Sequence, residues 1–197
     1  MACFCKNVND KEKYIFIHIP KCGGKTMEKS FFPNQRNGTD LACYRDWEKK
    51  LDKHGHDTSS FKFFSMVRNP WDRVVSAYQR NMLPDRLKFI DRTFKEVVFA
   101  KEFPLFADGD KLKVTAMDFL KNSKGVINMD YIGRFEEFGK SFGEINKLLG
   151  KNKELIHVNP SYTFRSRPDY RDWYDKETME FVKEYYKEDI EYFNYEF

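Results

Sequence analysis

The stretch Tyr14-Ile-Phe-Ile-His-Ile-Pro-Lys21-Cys-Gly-Gly-Lys-Thr26 decides the fold. Five of the six residues from Tyr14 to Ile19 are apolar or aromatic, the pattern of a strand buried on both faces of a parallel sheet. Gly23 and Gly24 then allow a sharp turn and a close approach of backbone to a ligand. Lys25 to Phe32 is helix-compatible, with Met27 and Phe31 at i, i+4. A strand, a glycine turn and a helix start gather backbone N–H groups and a helix dipole at one point, which makes an anion site. Lys21, Lys25 and Thr26 add side-chain donors. Gly24-Lys25-Thr26 also ends the nucleoside-triphosphate loop G-x-x-x-x-G-K-[ST]. The first glycine of that pattern falls on Ile19, which weakens a kinase reading without removing it.

At 197 residues and 23.7 kDa the chain reads as one domain, able to bury about 70% of its unfolded surface. Aromatic residues are 17% of the chain, with 20 Phe and 11 Tyr, so they must carry much of the core. A net charge of +4, from 35 basic and 31 acidic residues, suits an anionic ligand and is too small to indicate nucleic acid. Cys3, Cys5, Cys22 and Cys43 lack a second pair at metal-ligand spacing and read as free thiols of a reducing compartment. There is no secretory h-region and no apolar run of about 18 residues. The expectation is a soluble cytoplasmic protein with no metal and no membrane partner.

Along the chain, residues 1–12 read as a flexible start and Phe61–Val67 as a second strand ending in Arg68. Pro70 opens a helix with Trp71, Val74, Val75, Tyr78 and Met82 on one face, closed by Pro84. Leu41–Leu51 is charged, of poor periodicity, and expected to be helical only in part. Thr93–Lys101 and Val114–Leu120 read as helices, Asn128–Phe135 as a short strand, and Glu137–Leu149 as a helix ended by Gly150. Leu155–Arg167 looks irregular, and Asp108-Gly-Asp110 reads as a turn. Asp175 caps a last helix, followed by an aromatic tail, Tyr192–Phe197. Strands separated by helices point to an α/β layered fold with its ligand at the strand carboxyl ends.

The second motif is Ser65-Met-Val-Arg68-Asn-Pro-Trp-Asp-Arg-Val-Val-Ser76-Ala-Tyr78. A strand-end arginine can grip phosphate with its planar fork, and Ser76 on the following helix offers a hydroxyl. Beside the glycine turn this makes two phosphate sites, as a nucleotide phosphorylated at both ends requires. The competing reading pairs Arg68 with Asp72.

Pro20–Thr26 resembles the 5′-phosphosulfate loop of sulfotransferases that use 3′-phosphoadenosine 5′-phosphosulfate (PAPS), and Val67–Tyr78 resembles their 3′-phosphate motif. The likeness is closest to Golgi-type carbohydrate sulfotransferases, including the uronyl 2-O-sulfotransferases. It extends to Tyr131–Glu136, Asn159-Pro-Ser161 and Tyr185–Tyr195. It implies a P-loop-like three-layer α/β fold over residues 13–197, with a central, mainly parallel sheet flanked by helices. It further implies transfer of a sulfuryl group from PAPS, leaving PAP, to a hydroxyl of a small molecule or carbohydrate.

Carried over by position, Lys21 would contact the bridging region of the phosphosulfate. The amides of Cys22, Gly23, Gly24, Lys25 and Thr26, with the Thr26 hydroxyl, would hold the 5′-phosphate, and Arg68 and Ser76 the 3′-phosphate. Lys25 departs from the Thr or Ser usual in the family. Arg165 and Arg167 lie where the family folds a loop over the nucleotide. Among four histidines, His54-Gly-His56 resembles the catalytic segment of the 2-O-sulfotransferases, which makes His56 the expected base; Glu136 is a rival. His18 reads as a hydrogen-bonded core residue. Arg80, Arg86, Lys88 and Arg92 either line an approach for an acidic glycan or form a solvated face. A kinase, or a non-catalytic PAP- or glycan-binding module, remains the alternative.

Overall fold

The apolar run at Tyr14 forms a strand because both of its faces are covered. The computed structural model describes residues 8–9, 13–33, 41–81, 91–100, 115–156 and 168–197. By internal contacts the chain divides into two compact units, Met1–Val67 with Ala116–Thr163, and Arg68–Thr115 with Phe164–Phe197.

Among the described residues the first unit holds a sheet of four strands in chain order: β1 (Val8–Asn9), β2 (Tyr14–Ile17), β3 (Lys62–Val67) and β4 (Tyr131–Arg134). β2 pairs in parallel with β3, Tyr14 opposite Lys62 and Ile17 opposite Ser65, and β3 in parallel with β4, Val67 opposite Arg134. The mainly parallel sheet is as expected. The short antiparallel edge β1 was not foreseen.

Alternation sends Tyr14, Phe16 and Phe64 to one face. There α1 (Gly24–Phe31) and α6 (Phe138–Leu149) meet them: the Phe31 ring lies 5.7 Å from Phe64 and 5.1 Å from Phe142. The opposite face receives α2 (Tyr44–Lys53), with the Tyr44 ring 4.4 Å from Phe63. α2 corrects the sequence reading. Its apolar positions are few, but Tyr44, Trp47 and Leu51 at i, i+3, i+7 are all buried. Its cap is a cysteine: the Cys43 N–H donates to Asp46 Oδ2 at 3.0 Å, outside the usual Ser/Thr signature. A short α5 (Ala116–Leu120) belongs to the same unit.

α6 approaches β4 closely because Gly133 has no side chain. A Cβ there would stand 2.6 Å from Met66 Sδ and 2.7 Å from Ser141 Cβ. Ser141 Oγ accepts the Arg134 N–H at 2.9 Å. Gly150 ends α6 at φ 61°.

The second unit is helical: α3 (Pro70–Asn81), α4 (Phe94–Phe99), a 3-10 turn Tyr170–Trp173, α7 (Lys176–Tyr185) and α8 (Lys187–Phe193). α8 was not foreseen, and it takes in the first two residues of the expected tail. Trp71, Val74, Val75 and Tyr78 of α3 are buried against Phe94, Val98, Val182 and Tyr186. Phe197 inserts its ring among Trp71, Tyr170 and Tyr174 at 5.5–5.8 Å. The Tyr174 hydroxyl donates to the Trp71 carbonyl at 3.0 Å, and burial holds its pKa far above the usual tyrosine range. Asp175 caps α7 as expected, accepting the Thr178 N–H at 2.8 Å, and Lys95 of α4 joins it at 3.0 Å. Pro84, Met82 and the Asp108-Gly-Asp110 turn lie outside the described residues.

Gly133→Ala is expected to cost about 1–3 kcal/mol by overpacking, read from denaturant unfolding. Asp175 supplies a pH test. The Thr178 N–H first, and Lys95 next, hold its carboxyl well below the usual range. Its contribution is therefore complete above the unfolded-state pKa of about 4 and lost as pH falls through the lower folded value. Asp175→Ala should melt below wild type at pH 7, and the gap should close on acidification from about pH 4.

Candidate functional site

β2 ends at Ile17, and the chain crosses His18 and Ile19, both buried, into the turn. The Cys22 N–H reaches back to the Ile19 carbonyl at 3.4 Å. Lys21 and Gly23 both take positive φ, 71° and 78°, and Gly23 is the N-cap of α1. The N–H groups of Thr26 and Met27 both donate to the Gly23 carbonyl. The earlier amides of this first turn have no intrahelical acceptor by the geometry of a helix. No side chain caps the helix and no acidic residue stands in its first turn. The end of α1 thus keeps its positive field. Lys21 is half-buried, Lys25 exposed, Thr26 and Cys22 buried. These features fit an anionic phosphate group, the residues carried over from sequence standing together on one turn.

The glycines are required from the inside as well. A Cβ at Gly24 would collide with the His18 imidazole, and one at Gly23 with the Phe138 ring, Phe135 lying 3.2 Å away. His18 is a buried, hydrogen-bonded residue as read from sequence, its Nδ1 lying 2.7 Å from Glu28 Oε1. Phe135, Phe138 and Glu28 were not singled out: the two rings come from a distant segment, and Glu28, one turn along α1, is an ordinary helix residue until His18 is placed against it.

Arg68 follows Val67, the last residue of β3. It is 4% exposed, and its Nε donates to Asp72 Oδ2 at 2.8 Å, with one Nη at 2.7 Å from the same oxygen. The local pairing weighed against phosphate is therefore present. The hydrogen bond runs through Nε, and the Nη contact is an ion pair only. Asn69 caps α3: its Oδ1 accepts the Trp71 N–H at 3.1 Å and its Nδ2 donates to the Glu196 carbonyl at 2.8 Å. An Asn before a Pro at the first helical position was a readable signal. Ser76 stands one turn after Asp72, and Asp72, Ser76, Gln79 and Arg80 share the partly exposed side of α3.

His56 is placed elsewhere in the first unit. Its ring lies 5.9 Å from that of Phe61, just ahead of Lys62, which opens β3 opposite Tyr14. That is the amino end of the parallel strands, whereas the Lys21–Thr26 turn follows their carboxyl ends; six strand residues span about 17 Å. Glu136 lies in the 3-10 turn Phe135–Glu137 directly after β4, beside the residue that touches Gly23. Arg92 donates to the Glu96 carbonyl at 3.3 Å. Arg86, Lys88, His157, Asn159–Ser161, Arg165 and Arg167 lie outside the described residues.

No helix among the described residues is long and apolar enough to cross a membrane. Comparison with curated proteins gives no match. Among solved structures, mouse sulfotransferase SULT7A1 complexed with PAP matches at a TM-score of 0.49 and 16% identity, over 91% of this chain and 85% of that one. The model of the Sulfotransferase family matches residues 6–196. With a match over nearly its whole length, the chain belongs to the Sulfotransferase family, the PAPS-dependent sulfotransferases.

Proposed function

We propose that this sulfotransferase acts on a hydroxyl of a carbohydrate, in the cytoplasm, by in-line transfer with a general base. The observation that carries the donor side is the Lys21–Thr26 turn, with its uncapped, acid-free helix start. PAPS supplies an activated sulfuryl group on a good leaving phosphate. Lys21 and the amides of Gly23, Gly24 and Lys25, with the Thr26 hydroxyl, bind the 5′-phosphate and stabilise the charge that grows there, the Cys22 and Thr26 amides being turned to the Ile19 and Gly23 carbonyls. Arg68 and Ser76 bind the 3′-phosphate, with Asp72 orienting the guanidinium, and Arg165 adds a contact. The carbohydrate acceptor rests on the Golgi-type resemblance. Cys22 and Cys43 are buried thiols, which suits a reducing compartment.

The base is the role on which the two lines of argument part. Resemblance favours His56; position favours Glu136, which stands at the end of the sheet where the turn lies. We assign the acceptor proton to Glu136, a carboxylate within reach of solvent, with His56 as the second reading.

A thermal-shift titration tests the donor. PAP should raise the melting temperature as its concentration passes the dissociation constant, and Mg–ATP should not; the opposite pattern overturns the reading. Arg68→Ala should abolish the PAP shift, and Lys21→Ala should lower turnover more than affinity. Glu136→Gln should lose about 10²–10⁴-fold in rate with PAP binding intact, and His56→Ala should stay near wild type. The reverse result returns the base to His56.

A further inference from the structure

The phosphosulfate turn is held in a conformation that its own residues disfavour. Lys21 has a Cβ and yet sits at φ 71°, a state that costs roughly 1–2 kcal/mol and persists only where the surroundings over-determine it. The surroundings here are specific. His18, the first residue after β2, is 6% exposed. Its ring edge fills the space that a Gly24 side chain would take, with the Phe16 ring 5.7 Å away. Its Nδ1 meets Glu28 Oε1 at 2.7 Å, with side chains 7% and 17% exposed. Glu28 is one helical turn beyond Gly24, so the two lie on one face of α1. The imidazole therefore spans the whole turn, from the strand that enters it to the helix that leaves it. The carboxylate accepts from Nδ1–H, which fixes the proton on that nitrogen and aims the Nε2 edge at Gly24.

An apolar side chain would fill this volume without taking a polar pair out of water, which costs free energy. A hydrogen bond adds direction where apolar packing adds only volume. We infer that His18 and Glu28 form a positioning pair that sets the Lys21–Gly24 turn in its phosphate-binding shape. The inference rests on the PAPS reading of the turn. It assigns no contact between His18 and the substrate.

The test is PAP affinity, measured by calorimetry on the full chain below each variant's melting temperature, alongside that temperature itself. His18→Ala and Glu28→Ala should each weaken PAP about tenfold, the scale of one well-made hydrogen bond. The double variant should bind no worse than the weaker single one, because both remove the same brace. His18→Asn, whose amide can donate near the Nδ1 position, should recover most of the loss. Singles that bind PAP within about twofold of wild type, or losses that add, overturn the inference even if stability falls, since filling space alone would then explain the residue. If His18→Ala does not fold, Glu28→Ala and His18→Asn decide on the same criteria. A wild-type protein that ignores PAP overturns the underlying reading, and the inference with it.

Discussion

Parallel pairing of β2 with β3 is the constraint on which the first unit depends. Parallel strands need a crossover connection, here through α1 and α2, and they leave their carboxyl ends on one edge. The Ile17–Ser65 and Val67–Arg134 registers therefore bring the start of the glycine turn to the same end of the sheet as the carboxyl ends of β3 and β4. The strands stay buried because aromatic side chains from α1 and α6 cover one face and Tyr44 of α2 the other. Gly133 sets how near α6 can come, and through Phe138 that spacing reaches Gly23. Packing on one side of the sheet and the shape of the turn are thus one problem.

The turn itself carries local strain, with Lys21 at a positive φ. A helix start without a capping side chain or an early acid gives up the stability a cap provides, about 1 kcal/mol in ordinary helices. The same bare amides and dipole are what an anion uses. α4 and α7, by comparison, carry full capping boxes at Thr93 and Asp175. α6 also starts without a capping side chain or an early acid, so it is the glycine turn and its lysines, rather than the missing cap, that set α1 apart.

Arg68 shows how charge is handled in the second unit. A guanidinium at 4% exposure is costly unless paired, and Asp72 one turn along α3 supplies the partner at 2.7 Å. The pair fixes the position of a side chain that would otherwise be a buried, uncompensated charge. Asn69 does the equivalent work for the backbone, capping α3 and tying it to the carbonyl of Glu196, so the last residues of the chain pack where α3 begins.

Much of this was written in the sequence. The apolar run, the glycine pair, the α3 stripe, the Gly150 stop and the Asp175 cap are local signals with local causes, and each element formed where it was read. The family was legible for the same reason, since its two motifs are contiguous. Other features depended on residues far apart in the chain. α2 was under-read because its three buried positions count only once Phe63 is there to receive them, and α8 because no local stop separates it from the tail. The bracing of the turn by His18, Glu28, Phe135 and Phe138 joins segments up to 120 positions apart. The base is the role least legible in the sequence: His56 is close to β3 in sequence and meets it at its amino end, a relation that strand direction in the folded sheet sets and local sequence does not.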